Sequence, residues 1–261
     1  MDDLDRFLRE DVGAGDVTTG AVARGERVRA RIVAQEACVA AGVAEAAEVF
    51  ARLGAKAEAR ARDGDAVGEG AELLAIHGPA AAVLTGERLA LNLLMRMGGI
   101  ASLTRRTVER ARAVNPRCEV AATRKTTPGF RAFEKRAVAL GGGGTHRQGL
   151  WDAILVKDNH VAVAGSLEEA VRRCRDASPG MPVEVEADTE AQAEAAARLG
   201  VAWILLDNWT PRRLAEGAPG LRRLAPEVRL EASGGVRPEQ VTAYAPWVDR
   251  VSLGAAALPP L

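Results

Sequence analysis

Six short apolar runs recur through the second part of the chain, and their repetition limits the fold more than any other feature. Helical patterns separate most of the runs, which favours parallel strands in an α/β barrel or an open α/β sheet. The runs cover 119–122, 153–156, 183–186, 203–206, 228–231 and 248–253, and the helical patterns cover 131–140, 167–175, 190–199, 211–214 and 238–244. The predicted fold class is therefore α/β.

The first part of the chain has a different pattern of apolar and polar residues. Residues 3–10 have the spacing of an amphipathic helix, and a second helical pattern covers 43–53. Alternation of apolar and polar residues predicts strands at 28–36 and 55–62, and a further strand is predicted at 72–77. These elements predict a small N-terminal α/β domain.

A long helical pattern begins after Gly78-Pro79, and it is predicted to stop near Met97 because two glycines, Gly98 and Gly99, follow. This break is the predicted domain boundary. We therefore expect an N-terminal domain over residues 1–100 and a barrel domain over residues 101–261.

Polar residues of unusual kinds follow nearly every one of the six predicted strands. They are Thr123-Arg124-Lys125, Lys157-Asp158-Asn159-His160, Glu186 with Asp188, Asp207-Asn208, Ser233-Gly234-Gly235 and Gly254. In barrels and open sheets alike, the loops after parallel strands converge on one face, where ligands bind. The chemistry of the chain is expected at that face.

Cations are concentrated in one stretch of an otherwise neutral chain. From Arg96 to Arg147 there are twelve Lys or Arg residues and three Glu residues. Helix surfaces account for part of this excess, but five cations fall in or beside the predicted loops: Arg124, Lys125, His146, Arg147 and Lys157. A mixture of Arg and Lys suits a ligand that carries both carboxylates and phosphates. A nucleic-acid surface is set aside, because one Tyr, four Phe and four Trp offer little for base stacking.

Carboxylates form the second group of candidates. Glu184, Glu186 and Asp188 alternate along one predicted strand and so share a face, and Asp207 ends the next strand. Buried carboxylates need partners, which are expected to be a metal, a sugar hydroxyl or the cations above. Mg²⁺ held through water by Glu186 and Asp207 would suit them.

Several glycines could bring backbone N–H groups against phosphate oxygens. They are the run 141–144, the Ser233-Gly234-Gly235 group and Gly254. A predicted helix start at Pro238 favours the Ser233 group, since helix N-termini attract anions.

Other classes of protein are disfavoured. The acidic start Met1-Asp2-Asp3 lacks the order of a signal peptide, and no apolar run is long enough to span a bilayer, so a cytoplasmic location is expected. Three widely separated cysteines, Cys38, Cys118 and Cys174, predict neither a zinc site nor a disulfide framework.

The chain resembles the quinolinate phosphoribosyltransferase family along nearly its whole length. The resemblance lies in LREDVGAGDVTT from Leu8, ERLALNLL from Glu87, TRKTTPGFRAFEKRAVALGGGGTHRQGLWDAILVKDNH from Thr123, EVEAD from Glu184, LLDN from Leu205 and EASGG from Glu231. It implies an N-terminal α/β sandwich domain joined to an incomplete six-stranded parallel α/β barrel. It also implies a homodimer or higher homo-oligomer with shared active sites.

The resemblance implies that quinolinate and phosphoribosyl pyrophosphate react to give nicotinate mononucleotide, CO₂ and pyrophosphate, with Mg²⁺ and no organic cofactor. By resemblance, four residues would hold quinolinate, namely Arg124, His146, Arg147 and Lys157, with Arg88 reaching in from a partner chain. The catalytic residues would be Lys125, Glu186 and Asp207, and Ser233, Gly234, Gly235 and Gly254 would surround the 5′-phosphate.

Two alternatives stay open. A related group linked to molybdenum transport shares the TRKT-PG segment, although Lys157-Asp158-Asn159 favours quinolinate. A non-catalytic barrel that retains anion binding is the other alternative. It is kept open because residues 255–261 depart from the Thr-His-Ser segment that usually follows the glycine matching Gly254.

Overall fold

The computed structural model describes residues 2–254, which form two compact units. Unit 1 contains residues 2–105 and 139–142, and unit 2 contains residues 106–138 and 143–254. The segment 255–261, in which the sequence departs from the family pattern, lies outside the described residues.

Unit 1 is built around an antiparallel sheet of three strands. Its elements are α1 (Asp3–Val12), α2 (Val17–Val22), β1 (Arg27–Val33), β2 (Cys38–Val39), α3 (Val43–Arg52), β3 (Lys56–Ala59), β4 (Ala66–Val67), β5 (Glu72–Pro79) and the start of α4 (Ala80–Val114). The sheet order is β1-β5-β3, and β2 pairs with β4 in a separate two-stranded sheet. Side-chain caps begin the first two helices, since Asp2 accepts from Asp5 N and Asp16 accepts from Thr19 N.

Helix α4 is continuous over 35 residues, so the predicted stop near Met97 is wrong. Gly98 and Gly99 are buried inside it with ordinary helical backbone, and the buried Met97 and Ile100 lie on either side of them. This apolar packing offsets the low helix propensity of the two glycines. The predicted domain boundary at 100/101 stays a prediction, while the two units divide within the same helix, between Arg105 and Arg106.

Unit 2 alternates strands and helices. Its elements are β6 (Glu119–Ala122), α5 (Arg131–Leu140), β7 (Ile154–Val156), α6 (Asp158–Ala164), α7 (Leu167–Ala177), β8 (Val183–Ala187), α8 (Glu190–Arg198), β9 (Trp203–Asp207), α9 (Pro211–Leu224), β10 (Arg229–Ser233), a 3₁₀ turn (Pro238–Gln240), α10 (Val241–Tyr244), a second 3₁₀ turn (Ala245–Trp247) and β11 (Arg250–Leu253). All six strands run parallel, in the order β6-β11-β10-β9-β8-β7. The predicted α/β class with six parallel strands is confirmed.

The sequence patterns missed or shortened some elements of unit 2. Helix α9 runs ten residues beyond its predicted end at Leu214, although Gly217 and Pro219 lie inside it. Gly217 fits there because a Cβ at this position would lie 2.7 Å from the ring of the buried Trp209. Helix α6, directly after Lys157, was not predicted.

The glycine run 141–144 shapes the fold and does not form a phosphate cradle. The N–H groups of Gly142, Gly143 and Gly144 donate to the carbonyls of Ala139, Val138 and Val120, so they are already used. Gly144 also forms a single parallel bridge with Ala121 of the edge strand β6. A Cβ on Gly144 would lie 1.7 Å from Oε1 of Glu119, so only glycine allows this approach.

The core of unit 2 consists of the central strands and the helix faces that cover them. Ile204, Leu206, Leu230 and Leu253 have no exposed surface. Within residues 2–254, no helix combines the length and hydropathy needed to cross a membrane.

Candidate active site

The carboxyl ends of the six parallel strands carry the predicted site residues of unit 2. Asp207 and Ser233 are the last residues of β9 and β10 and lie opposite each other in register. Glu186 lies near the end of β8, and Lys157 directly follows β7. Arg124 and Lys125 follow β6, while Gly254 follows β11. The structure therefore brings these loops to one face, as the sequence predicts.

An ion pair joins two of these strands. The Lys157 ammonium donates to Oε2 of Glu186, and the Glu186 side chain is 16% exposed. A carboxylate with this little exposure needs a compensating charge, which Lys157 supplies at this face.

Asp207 has both negatively and positively charged side chains nearby. Burial and the nearby Asp188 charge raise the pKa of the Asp207 carboxyl, while Lys157 and Lys125 act in the opposite direction. The Nδ2 of Asn208 donates to Oδ2 of Asp207 at 2.6 Å. The Cδ of Lys125 lies 3.5 Å from the point that a Cβ on Gly254 would occupy, so this lysine extends toward the end of β11.

Two arginines from different loops lie near each other. Burial and the Arg124 charge lower the pKa of Arg147, whereas Glu184, Asp152 and Glu186 raise it. The Nε of Arg124 is buried and has no hydrogen-bond partner within the described residues. A buried donor beside a second cation is the arrangement that an anionic ligand would satisfy.

The side chain of His146 is 8% exposed and lies beside two carboxylates. Its φ is +48°, a left-handed conformation that is unusual outside glycine. Its Nδ1 accepts from the N–H of Arg147 at 2.7 Å, and its Nε2 lies 3.4 Å from Glu184 and 3.3 Å from Glu231. Both ring nitrogens therefore have protein partners.

Two effects oppose each other at the His146 ring. Burial lowers its pKa, but Glu184 and Glu231 raise it by more, to about 9. A ring protonated on both nitrogens could not accept the Arg147 N–H, so full protonation requires that contact to open. The contact as it stands assigns the ring proton to Nε2, between the two carboxylates.

Glu231 anchors a buried network that the sequence patterns did not reveal. Its carboxylate has no exposed surface and accepts from Arg250 Nη1 at 2.9 Å and Ser252 Oγ at 2.5 Å. Arg250 Nε donates in turn to Glu119 at 2.7 Å. Burial raises the pKa of Glu231, but His146, Arg250 and Ser252 lower it by more, to about 2. A charged residue between the apolar Leu230 and Ala232 of β10 was the available signal.

The pKa of Glu184 is shifted in the opposite direction to that of Glu231. Burial and the charge of Glu231 raise its pKa, and its Oε1 is buried without a hydrogen-bond partner in the described part of the chain. Glu184 is therefore the weaker acid of the two carboxyls in this cluster. Ligand atoms of His146, Glu184 and Glu231 lie within 4.8 Å of one another, but these groups already bond one another beside the Arg250 cation. They do not suit a metal, which leaves Glu186 and Asp207 as the candidate metal ligands.

Backbone geometry distinguishes the glycines predicted near phosphate. Gly234 and Gly235 have φ values of +89° and +65°. A Cβ on Gly234 would lie 2.3 Å from Oδ1 of Asn208, whereas Gly235 has nothing within 4 Å of that point. A short 3₁₀ turn, Pro238–Gln240, follows in place of the predicted helix start.

The three remaining candidates, Arg88, His160 and Asp188, are exposed. Arg88 is exposed on α4 and belongs to unit 1. His160 accepts from Lys157 N at 2.9 Å, which makes it a local cap of α6. Asp188 is exposed after β8, and its N–H donates to Gln192.

Comparison with known proteins places both parts of the chain in one family. The model of the quinolinate phosphoribosyl transferase N-terminal domain matches residues 16–98, and that of the C-terminal domain matches residues 100–258. A probable nicotinate-nucleotide pyrophosphorylase [carboxylating] from Methanothermobacter thermautotrophicus is 46% identical over 97% of this chain and 93% of its own length. The human nicotinate-nucleotide pyrophosphorylase [carboxylating] is 38% identical over 96% and 85%.

Solved structures agree with these relatives. The nicotinate-nucleotide pyrophosphorylase from Francisella tularensis has a TM-score of 0.91 and 30% identity, covering 99% of this chain and 91% of that one. NadC from Streptococcus pyogenes has a TM-score of 0.88 and 36% identity, covering 99% and 92%.

Proposed function

The chain belongs to the quinolinate phosphoribosyltransferase family, and from that premise we propose how its own residues carry out the reaction. The enzyme transfers phosphoribosyl from phosphoribosyl pyrophosphate to quinolinate with decarboxylation, giving nicotinate mononucleotide, CO₂ and pyrophosphate. The observation that carries the proposal is the convergence of cations and carboxylates at the carboxyl ends of the strands in unit 2.

Quinolinate is held by the cations of the loops that follow β6, α5 and β7. Arg124 offers a buried Nε–H without a protein partner, and Arg147 lies close enough for the two charges to interact. An anion between them would relieve that repulsion and accept their hydrogen bonds. Lys157 supplies a third positive charge, and His146 orients the Arg147 backbone through its Nδ1.

Phosphoribosyl pyrophosphate is held by Lys125 and by groups at the ends of β8 to β11. Lys125 extends toward Gly254 and Asp207, where its ammonium can meet phosphate oxygens. Ser233 and the left-handed Gly234 and Gly235 offer a small, open loop for the 5′-phosphate. Glu186 and Asp207 are positioned to accept from ribose hydroxyls at the ends of adjacent strands.

The chemistry follows from where charge develops. The quinolinate nitrogen forms a bond to the anomeric carbon as the bond to pyrophosphate breaks, so negative charge builds on the leaving group and positive charge on the ribose. Lys125 stabilises the first, and the carboxylates of Glu186 and Asp207 oppose the second. The ring is then cationic, so loss of CO₂ leaves an electron pair that the ring can stabilise until a proton replaces it.

The carboxylates at this face fit a magnesium ion. Carboxylate oxygens are ligands that Mg²⁺ prefers, and burial together with Asp188 raises the pKa of Asp207, an effect that a nearby cation would reverse. Glu186 and Asp207 would hold the ion through water, as is usual for Mg²⁺. When bound with the pyrophosphate oxygens, the ion offsets charge on the leaving group.

A shared active site is the second part of the proposal. Arg88 lies on an exposed side of α4 with Leu84 and Met95, which are 49% and 51% exposed. Exposed apolar residues at helical spacing support burial of this side against a second copy of the chain. Arg88 of the partner subunit would then complete the grip on quinolinate in a homodimer.

The activity is tested by incubating the protein with quinolinate, phosphoribosyl pyrophosphate and Mg²⁺ and following nicotinate mononucleotide and CO₂. We expect product formation that stops when EDTA removes the metal, and strong loss in Lys125→Met but not in Lys56→Met, a variant of an exposed lysine in unit 1. Turnover of a different anionic base without turnover of quinolinate would contradict the proposal.

The shared site is tested with Arg88→Ala and Arg124→Ala. Each variant alone should be inactive, but co-expressed chains should recover about one quarter of wild-type activity. Half of randomly mixed dimers are hybrids, and each hybrid keeps one intact site of two. Hybrid dimers without any recovered activity would show that Arg88 acts within its own chain or not at all.

A further inference from the structure

Lys135 is a buried lysine to which the sequence patterns assigned no role. It lies on α5, is 1% exposed, and donates from Nζ to three backbone carbonyls. The acceptors are Ala122 O at 2.7 Å, Thr145 O and Arg147 O at 3.1 Å. An ammonium has three N–H donors, so this set uses all of them.

The three carbonyls belong to the loops that carry the anion-binding residues. Ala122 ends β6, two residues before Arg124. Thr145 and Arg147 flank His146, whose left-handed φ of +48° has to be held by its surroundings. One ammonium thus ties the start of the Arg124 loop to both sides of the His146 turn.

Glu134, the residue before Lys135 on α5, binds the other end of the Arg124 loop. Glu134 accepts from the N–H of Thr127 at 3.1 Å and from its Oγ1 at 2.8 Å. Consecutive residues of one helix therefore anchor both ends of the segment 122–127, which includes Arg124 and Lys125.

Packing alone does not account for a lysine at this position. The charges near Lys135 are mostly of its own sign, from Arg131 on the same helix and from Arg124 and Arg147 in the loops, with Asp152 as the opposing carboxylate. Burial and these arginines lower the pKa of Lys135 to about 8. An apolar side chain would avoid this cost but would leave three buried carbonyls without their donor.

We propose that Lys135 is a positioning residue for the quinolinate site, which fixes Arg124 against the His146-Arg147 turn without touching the substrate. This inference rests on the proposed assignment of those residues to quinolinate. Its consequence is selective: binding of the acidic substrate depends on Lys135 through Arg124, His146 and Arg147, whereas phosphoribosyl pyrophosphate meets this segment only through Lys125 and otherwise involves strands β8 to β11, so its binding depends on Lys135 much less.

The test compares Lys135→Met, Lys135→Arg and the exposed control Lys56→Met. In Lys135→Met we expect the KM for quinolinate to rise about tenfold or more, with the KM for phosphoribosyl pyrophosphate within about twofold of wild type. Lys135→Arg, which keeps donors and charge, should recover part of the loss. Equal changes in both KM values, or no change in either, would overturn the proposal.

A pH profile keeps the test decisive if Lys135→Met does not fold. In the wild type, the KM for quinolinate should rise as the pH increases through about 8, because the neutral amine loses one donor and its charge. Lys135→Arg should lack the part of this rise near pH 8, since arginine stays protonated. The other charged groups near the site, Arg131, Arg124, Arg147, Asp152 and His146, are the same in both proteins, so the difference between the two profiles is assigned to residue 135. The same alkaline rise in both would overturn the proposal, whereas a wild type that does not turn over quinolinate would instead refute the proposed function.

Discussion

Arg250 donates from Nη1 to Oε2 of Glu231 across 2.9 Å, and that carboxylate has no exposed surface. The pair lies on adjacent parallel strands, with Glu231 on β10 opposite Arg250 on β11. Since Glu231 also contacts the ring of His146, the ion pair links the core of the sheet to the binding face.

Removing the Arg250 guanidinium should destabilise the folded protein. We expect Arg250→Met to lower the free energy of unfolding by about 3 kcal/mol, because it leaves the Glu231 carboxylate buried without its charge partner. Methionine keeps an apolar contact with the Trp203 ring, over which the guanidinium now lies at 3.8 Å. Urea unfolding measures the difference. Arg172→Met, which removes exposed pairs with Glu169 and Asp176, is the control and should change stability by less than about 1 kcal/mol.

The two glutamates beside His146 should respond differently to the same substitution. Glu184→Gln removes a carboxyl whose pKa is raised by burial and by the charge of Glu231, so we expect a change in unfolding free energy within about 1 kcal/mol. Glu231→Gln removes an ionised group that Arg250 needs and should cost about 3 kcal/mol. Thermal unfolding of both variants at pH 7 provides the comparison, and equal losses would argue against the opposite pKa shifts of the two carboxyls.

The pH dependence of stability should identify Glu231 as an acid-sensitive group. Its folded pKa of about 2 lies below the ordinary value of 4.5, so its contribution is complete above about pH 5 and is lost as the pH falls from about 4.5 toward 2. The difference in unfolding free energy between wild type and Glu231→Gln should shrink over this window. A difference that stays constant down to pH 2 would contradict the ionised assignment.

Gly144→Ala should destabilise unit 2 by about 1–3 kcal/mol, because the new Cβ would overlap the Glu119 carboxylate that binds Arg250. Adding Glu119→Ala should make the double variant more stable than the sum of the two single losses predicts. Gly68→Ala, where nothing lies within 4 Å of the added carbon, is the matched control. Strict additivity in chemical unfolding would show that the two groups do not collide.

The sequence was sufficient to predict the features that repeat along the chain and the residues that directly follow a strand. Short apolar runs with polar residues at their ends predicted six parallel strands, and the structure has all six with Lys157, Glu186 and Asp207 at their carboxyl ends. Local pattern carries this information because strand direction fixes on which edge the following loop emerges.

Features that depend on contacts between distant residues could not be predicted. Lys135 was one cation among many in a helical pattern, and only the fold reveals that its ammonium reaches carbonyls of two loops. Gly98 and Gly99 have the local signature of a helix break, but burial of their neighbours keeps α4 continuous. In both cases tertiary packing overrides what adjacent residues favour.

The strand order also determines when the ligand-binding loops can become ordered during synthesis. Strands β7 to β10 each pair with the next strand along the chain, so they can assemble as the polypeptide emerges. Strand β6 is translated before them, but its neighbour in the described sheet is β11, and its Glu119 meets Arg250 across 131 positions of sequence. A pairing of such separation forms late, because its loop must close first. The strand that carries the loop of Arg124 and Lys125 is therefore made early by the ribosome and joins the sheet after the last strand has been translated.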